Sequence, residues 1–339
     1  MDSIAMKKFI VSAGILLAVA ASAAASEATD TTYTNPVLEA NFPDPTVIRG
    51  EDGMFYAYAT QGRAGDIPIY RSADLVNWEF VSCAFPDRSL RPVVLPGGNL
   101  WAPDIMKIGE RYVLVYSQSK WGEEHLNGLG IAVSATPAGP FTDLGKLFTS
   151  DEIGVQNSID PSLFMTEDNR LYLLWGSFRG LYMLELDPDA LTVKEGAQKR
   201  IVAGRAFEGS HIFRHGGKYY LFASTGTCCE GDNSSYRVVV GRSDSPVGPF
   251  VARDGGDMMD DACTVVISGD DVCRGPGHGS QIVTDDAGQT WYLFHGYVKG
   301  RAQEGRMLWL DKIMWDVEGW PYVEGGTPSH SARPVPVFD

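Results

Sequence analysis

The chain has 339 residues, 44% hydrophobic and 21% charged, with a formal net charge of −15. That is long enough to bury a sizeable core and too apolar for a disordered chain. The acidic balance repels phosphate backbones and anionic membrane, so nucleic acid and membrane are excluded as expected partners, while neutral ligands such as sugars stay open.

The first element is a secretory leader at residues 1–25. Lys7 and Lys8 precede an apolar run over residues 9–20, and Ala21-Ser22-Ala23-Ala24-Ala25 follows. A basic start, a short apolar stretch and small residues at a cleavage point make up such a leader. No later segment reaches the roughly 18 apolar residues of a membrane span. The expectation is a periplasmic or secreted protein whose folded domain occupies residues 33–339.

Five hairpin units come next. The first is Asp44-Pro45-Thr46-Val47-Ile48, a turn from Gly50 to Gly53, then Phe55-Tyr56-Ala57-Tyr58-Ala59. The second joins Asp104-Ile105-Met106 to Tyr112-Val113-Leu114-Val115-Tyr116 across Gly109-Glu110. The third joins Asp160-Pro161-Ser162-Leu163-Phe164 to Leu171-Tyr172-Leu173-Leu174-Trp175. The fourth joins Gly209-Ser210-His211-Ile212-Phe213 to Tyr219-Tyr220-Leu221-Phe222, and the fifth joins Gly279-Ser280-Gln281-Ile282-Val283 to Trp291-Tyr292-Leu293-Phe294-His295. Further strands follow each hairpin, such as Ile131-Ala132-Val133 and Val238-Val239-Val240. Short strands in units repeated every 50–70 residues or so predict propeller blades. The predicted fold is all-β: one domain, a five-bladed β-propeller, closed where the segment near Tyr33 meets the C-terminal strands.

Five cysteines leave at least one thiol free. Cys263 and Cys273 flank Ile267-Ser268-Gly269-Asp270-Asp271, which reads as a turn between two strands, so they are the expected disulfide. Cys228-Cys229 reads equally as a bridge or as two reduced thiols. No spaced Cys/His set points to zinc.

Viewed around the ring, one position class carries Asp44, Asp104, Asp160, Glu208 and His278. In a propeller the innermost strands start at one mouth of the channel. Acids gathered there raise each other's pKa, a cost tolerated mainly for chemistry or a cation. Phe42, Trp101, Trp121, Trp175, Phe178 and Tyr297 offer flat faces to sugar rings, or else pack between blades. Two carboxylates astride one bond suffice for glycoside hydrolysis, one donating a proton and one activating water.

The segments Asn35-Pro36-Val37, Phe42-Pro43-Asp44-Pro45, Leu100-Trp101-Ala102-Pro103-Asp104-Ile105, Ile159-Asp160-Pro161-Ser162 and Glu208-Gly209-Ser210-His211-Ile212 resemble glycoside hydrolase family 43. The resemblance runs from about Asn35 to Pro328. It implies a five-bladed propeller and an inverting glycosidase. Asp44 then matches the general base, Glu208 the general acid, and Asp160 the acid that tunes and orients the donor. Asp44 and Glu208 should stand roughly 6.5–9.5 Å apart, with no covalent intermediate. Asp104 falls outside that catalytic set and reads as structural or rim. Arg306 matches a sugar-contacting arginine, with Arg301 as its competitor. His211 follows the acid closely enough to touch substrate or simply to pack.

No cofactor is required on this reading. His278 matches a histidine near the channel axis that accompanies a calcium ion in arabinan-active members. Calcium prefers oxygen, so the ion would be held mostly through waters. Trp175-Gly176-Ser177-Phe178 and Cys228-Cys229-Glu230-Gly231 look most like arabinan-active members. The short stretch after the propeller leaves no room for the extra C-terminal sandwich of many xylosidases. The expected activity is cleavage of α-L-arabinofuranosyl linkages in plant polysaccharides, exo or endo, by a monomer acting on an oligo- or polysaccharide. The alternatives are a β-xylosidase or β-galactosidase of the same family, or a non-catalytic sugar-binding propeller.

Overall fold

The structure, a computed structural model, describes residues 31–338 apart from 88, 90 and 190. The leader read at residues 1–25 lies outside the described residues. Five antiparallel sheets of four or five strands follow one another along the chain. Blade one comprises Thr46–Arg49, Phe55–Tyr58, Pro68–Ser72 and Glu79–Cys83. Blade two comprises Asn99–Ile108, Arg111–Ser119, Gly128–Ser134 and Thr142–Thr149. Blade three runs from Ser162–Met165 through Leu171–Trp175 to Leu181–Asp187, whose far edge takes both Thr192–Val193 and Arg200–Ala203. Blade four comprises Glu208–His215, Lys218–Thr225, Arg237–Ser243 and Thr264–Ile267. In blade five the inner position is split: Cys273–Gly277 and Val283–Thr284 both pair with Thr290–Val298, followed by Met307–Trp315 and Pro321–Tyr322. The predicted five-bladed propeller is what the chain forms.

The sequence pattern follows from the stacking. A strand inside a blade is covered on both faces by the neighbouring blades, so it reads as a continuous apolar run rather than an alternation. Phe55–Tyr58 and Leu171–Trp175 are buried at every residue, whereas the outermost Glu79–Cys83 is mostly exposed. The core is correspondingly divided into five clusters, one between each pair of adjacent blades. Trp175 fills the interface of blades two and three, and Trp309 that of blades four and five. Each such side chain contributes on the order of 2–3 kcal/mol by leaving water.

Ring closure occurs at Tyr33, as the sequence suggested. Thr32 pairs with Pro334 and Tyr33 with Arg333. The Asn35 side chain then acts as an extra strand residue, donating to the Leu310 carbonyl at 2.8 Å and accepting from the Leu310 N–H at 2.8 Å. Val37 N–H donates to the Leu308 carbonyl at 2.9 Å, and Phe338 packs on Phe55 of blade one with ring centroids 4.5 Å apart.

The disulfide expectation is corrected. Cys263 and Cys273 are both free, and the bridge joins Cys228 to Cys229. The turn between Cys263 and Cys273 is real, but it connects the outermost strand of blade four to the innermost strand of blade five. Cys263 therefore packs against the cluster shared with blade three, and Cys273 is buried in the cluster shared with blade five.

The repeat register is corrected too. In or beside each innermost strand, one residue adopts a left-handed backbone: Asp44 (φ 56°), Ala102 (φ 41°), Asp160 (φ 58°), Gly209 (φ 55°) and His278 (φ 42°). These five are the equivalent positions. Asp104 lies two residues further down its strand, and Glu208 one residue before its blade's left-handed position.

Candidate active site

The left-handed residue turns the chain from the crossing between blades into the channel strand, a conformation that Asp tolerates better than most side chains. At three of the five positions it brings Asp44, Asp160 and His278 to the channel mouth. There they line a cavity of about 500 Å³ together with Glu208 and Arg306. All three carboxylates are buried.

Asp44 is held from several sides. Its Oδ1 accepts from Arg306 Nη1 at 2.8 Å and its Oδ2 from the Thr60 hydroxyl at 2.6 Å. Its backbone N–H donates to His295 Nδ1 at 3.0 Å. That bond needs the lone pair of Nδ1, which fixes the His295 proton on Nε2. Glu208 accepts from the Ser177 hydroxyl at 2.6 Å on one oxygen and from the Tyr236 hydroxyl at 2.7 Å on the other. Asp160 accepts from the Gly209 N–H at 3.3 Å, and its own N–H donates to the Ser117 hydroxyl at 2.9 Å. His278 Nδ1 stands 3.5 Å from Asp44 Oδ1 and 3.9 Å from Asp160 Oδ2.

Similar burial leads to opposite shifts. Burial pushes all three carboxyls up. At Asp44 the Arg306 cation outweighs it and holds the carboxyl well below the usual range. At Asp160 burial is reinforced by the Glu208 and Asp44 charges, so its carboxyl is raised well above that range. At Glu208 burial wins over the two hydroxyl donors, and its carboxyl is also raised. Burial lowers His295 to about 3, so it is neutral at any working pH. A carboxyl biased towards ionisation facing one biased towards keeping its proton is the asymmetry that acid–base catalysis requires.

A profile described as Glycosyl hydrolases family 43 matches residues 33–321. The chain belongs to this family. Like other family 43 proteins, it is a glycosidase. It is 32% identical over 305 residues to the extracellular exo-α-(1→5)-L-arabinofuranosidase ArbA of Cellvibrio japonicus, covering 83% of this chain and 86% of that one. It is 31% identical over 310 residues to the extracellular endo-α-(1→5)-L-arabinanase 1 of Bacillus subtilis, covering 88% and 92%. The Cellvibrio cellulosa α-L-arabinanase solved with arabinohexaose superposes with a TM-score of 0.75 at 31% identity, covering 84% of this chain and 96% of that one.

Among the other residues read from the family 43 segments, Trp101, Phe178 and His278 line the cavity. Arg306 lines the cavity, whereas Arg301 pairs with Glu39 and Glu304 on the surface. Three expected substrate contacts are not at the cavity. Phe42 is buried edge-on against Tyr70 at 5.2 Å, within the cluster between blades one and five. Trp175 is wholly buried, with its indole N–H donating to the Ser158 hydroxyl at 3.1 Å. His211 is stacked on Phe222 at 5.2 Å inside the channel, and burial lowers its pKa to about 3. Thr60, Ser177, Tyr236 and His295 were not anticipated. Ser177 lies within Trp175-Gly176-Ser177-Phe178, the one local signal for any of the four.

Among the described residues no group of three or more His, Cys, Asp or Glu side chains could hold a metal. The site offers calcium one imidazole whose Nδ1 already faces two carboxylates. That donor set does not fit a calcium cage, and no step below runs through a metal.

Proposed function

We propose that this protein is an exported, inverting glycosidase that hydrolyses α-1,5-linked L-arabinofuranosyl units of arabinan. Asp44 is the general base, Glu208 the general acid, and Asp160 the group that holds the donor's proton and orientation. Glu208 passes its proton to the glycosidic oxygen as the bond from that oxygen to the anomeric carbon breaks. Asp44 takes a proton from a water that attacks the anomeric carbon from the opposite face. The anomeric configuration inverts, and each carboxyl is returned to its starting state by exchange with solvent.

The observation that carries this reading is the opposite ionisation bias of Asp44 and Glu208 around one cavity. The arabinan assignment is supported by the names of the two relatives and of the arabinohexaose-bound neighbour. Export is supported by the residue 1–25 leader pattern and by relatives described as extracellular. The working unit is a monomeric propeller over residues 33–339, with Trp101, Phe178 and Arg306 contacting the sugar.

Asp44→Asn and Glu208→Gln are each expected to lower kcat by about 10²–10⁴-fold while oligosaccharide binding survives. Near-native turnover in either variant would sink the assignment. NMR of the first-formed product should show the inverted anomer. The product profile on linear arabinan assigns the mode, monosaccharide alone for exo action and a ladder for endo. The resemblance also suggests a calcium ion, held near His278 through waters. Dialysis against a chelator is expected to leave turnover unchanged, and a loss restored by calcium would reinstate that ion.

A further inference from the structure

The turn over residues 226–236, between the second and third strands of blade four, carries the Cys228–Cys229 disulfide. The roles assigned above leave these sulfurs idle. Cys229 is exposed and Cys228 half-buried, and both line the cavity that holds Glu208 and Arg306.

The turn is fixed from several directions. The Ser234 hydroxyl donates to the Cys228 carbonyl at 2.9 Å and accepts from the Glu230 N–H at 2.9 Å. Thr227 N–H donates to the Ser235 hydroxyl at 3.1 Å. The Asp232 carboxylate reaches across to blade five and accepts from the Gly300 N–H at 3.0 Å. Gly231 presses on Ala302, whose Cβ would lie 3.0 Å from any Cβ added there. The sulfurs are therefore presented to the cavity by a preorganised support.

Bracing the fold is a poor explanation for this bridge. A disulfide between adjacent residues closes the smallest possible loop and so constrains the unfolded chain least. Its chemistry suits contact instead. The two sulfurs carry no proton to donate and accept hydrogen bonds only weakly, so they make a polarisable, apolar face. A furanosyl ring has hydroxyls to satisfy and C–H faces to cover. The carboxylates and Arg306 serve the hydroxyls, and the cavity needs apolar groups for the rest.

The side of the site follows from connectivity. Tyr236, at the end of the same turn, donates to Glu208 at 2.7 Å. The disulfide thus shares a blade with the proton donor, which protonates the departing sugar. We infer that the Cys228–Cys229 disulfide is a sugar-contact surface, packing against the C–H face of the arabinofuranosyl unit on the leaving-group side of the scissile bond. This rests on the arabinan reading above.

The test compares wild type with the double variants Cys228→Ser/Cys229→Ser and Cys228→Ala/Cys229→Ala on defined α-1,5-arabino-oligosaccharides, with Tm followed in parallel. The expected result is a rise in KM of about tenfold with kcat nearly unchanged. A second arm reduces the folded wild type with a phosphine, counts the thiols gained, and expects the same rise in KM, reversed on reoxidation. This arm decides if the variants do not fold. Unchanged KM overturns the assignment, and so does a lower Tm with unchanged KM, which would make the bridge a brace of the turn. A wild type inert on arabinan overturns the functional reading and the ligand named here together. An active wild type with unaltered variants overturns the disulfide contact alone.

Discussion

The Glu208 carboxyl is set by a contest between burial and two hydroxyl donors, Ser177 and Tyr236. Donation to the charged form lowers a carboxyl pKa, so losing a donor raises it. In Tyr236→Phe the acid should keep its proton to higher pH. The alkaline limb of the kcat/KM profile is then expected to move upward, while the acidic limb, governed by Asp44, stays in place. A downward shift of the alkaline limb would contradict the role given to Glu208. Arg306 was read from the resemblance alone, with Arg301 as its competitor, whereas the three acids were legible in the sequence because short motifs surround them. Their partners were not. Ser177 and Tyr236 lie 31 and 28 residues from Glu208, and His295 lies 251 from Asp44, so only the folded ring brings them together. Trp175 and Phe42 misled for the converse reason: a motif adjacent to a site supplies packing as often as contact.

The channel strands are joined at a level below the mouth. Asp104, on the innermost strand of blade two, accepts from the Thr46 hydroxyl of blade one at 2.6 Å and from the Leu163 N–H of blade three at 2.7 Å. Three blades are thereby tied to one carboxyl. Burial raises its pKa to about 6. A carboxyl raised in the folded state favours folding below its ordinary pKa, and that contribution is lost as pH rises through about 6. Asp104→Asn has no such slope, so its Tm relative to wild type is expected to improve between about pH 4 and pH 7. Asp104→Ala, which orphans both donors, should cost about 2–4 kcal/mol in denaturant unfolding near pH 4 and less at pH 7. The repeats themselves were readable, since every blade carries an aromatic or aliphatic run. The register was not, because similar acids were matched to each other. Matching the prolines instead, Pro45 with Pro103 with Pro161, would have aligned Asp44 with Ala102 and Asp160, which is the alignment the left-handed residues show.

At the scale of the whole molecule, one seam closes the ring. Blades one and five are held by the Tyr33 and Arg333 pairing, by Asn35 on Leu310, and by Phe338 on Phe55. Asn35→Ala removes both backbone-like bonds and is expected to lower Tm by several degrees without altering KM, because Asn35 does not line the cavity. The position of this seam was legible from Tyr33, but the part Asn35 plays in it was not, since side-chain mimicry of a strand leaves no periodic trace. The seam also runs through the chemistry: Asp44 comes from blade one, while Arg306 and His295 come from blade five. During synthesis Asp44 emerges first, and Arg306, which holds its carboxyl low, arrives more than 250 residues later. On the roles proposed above, a nascent or truncated chain has no functional base, and the polypeptide becomes a catalyst only when its last blade has been delivered and locked against its first.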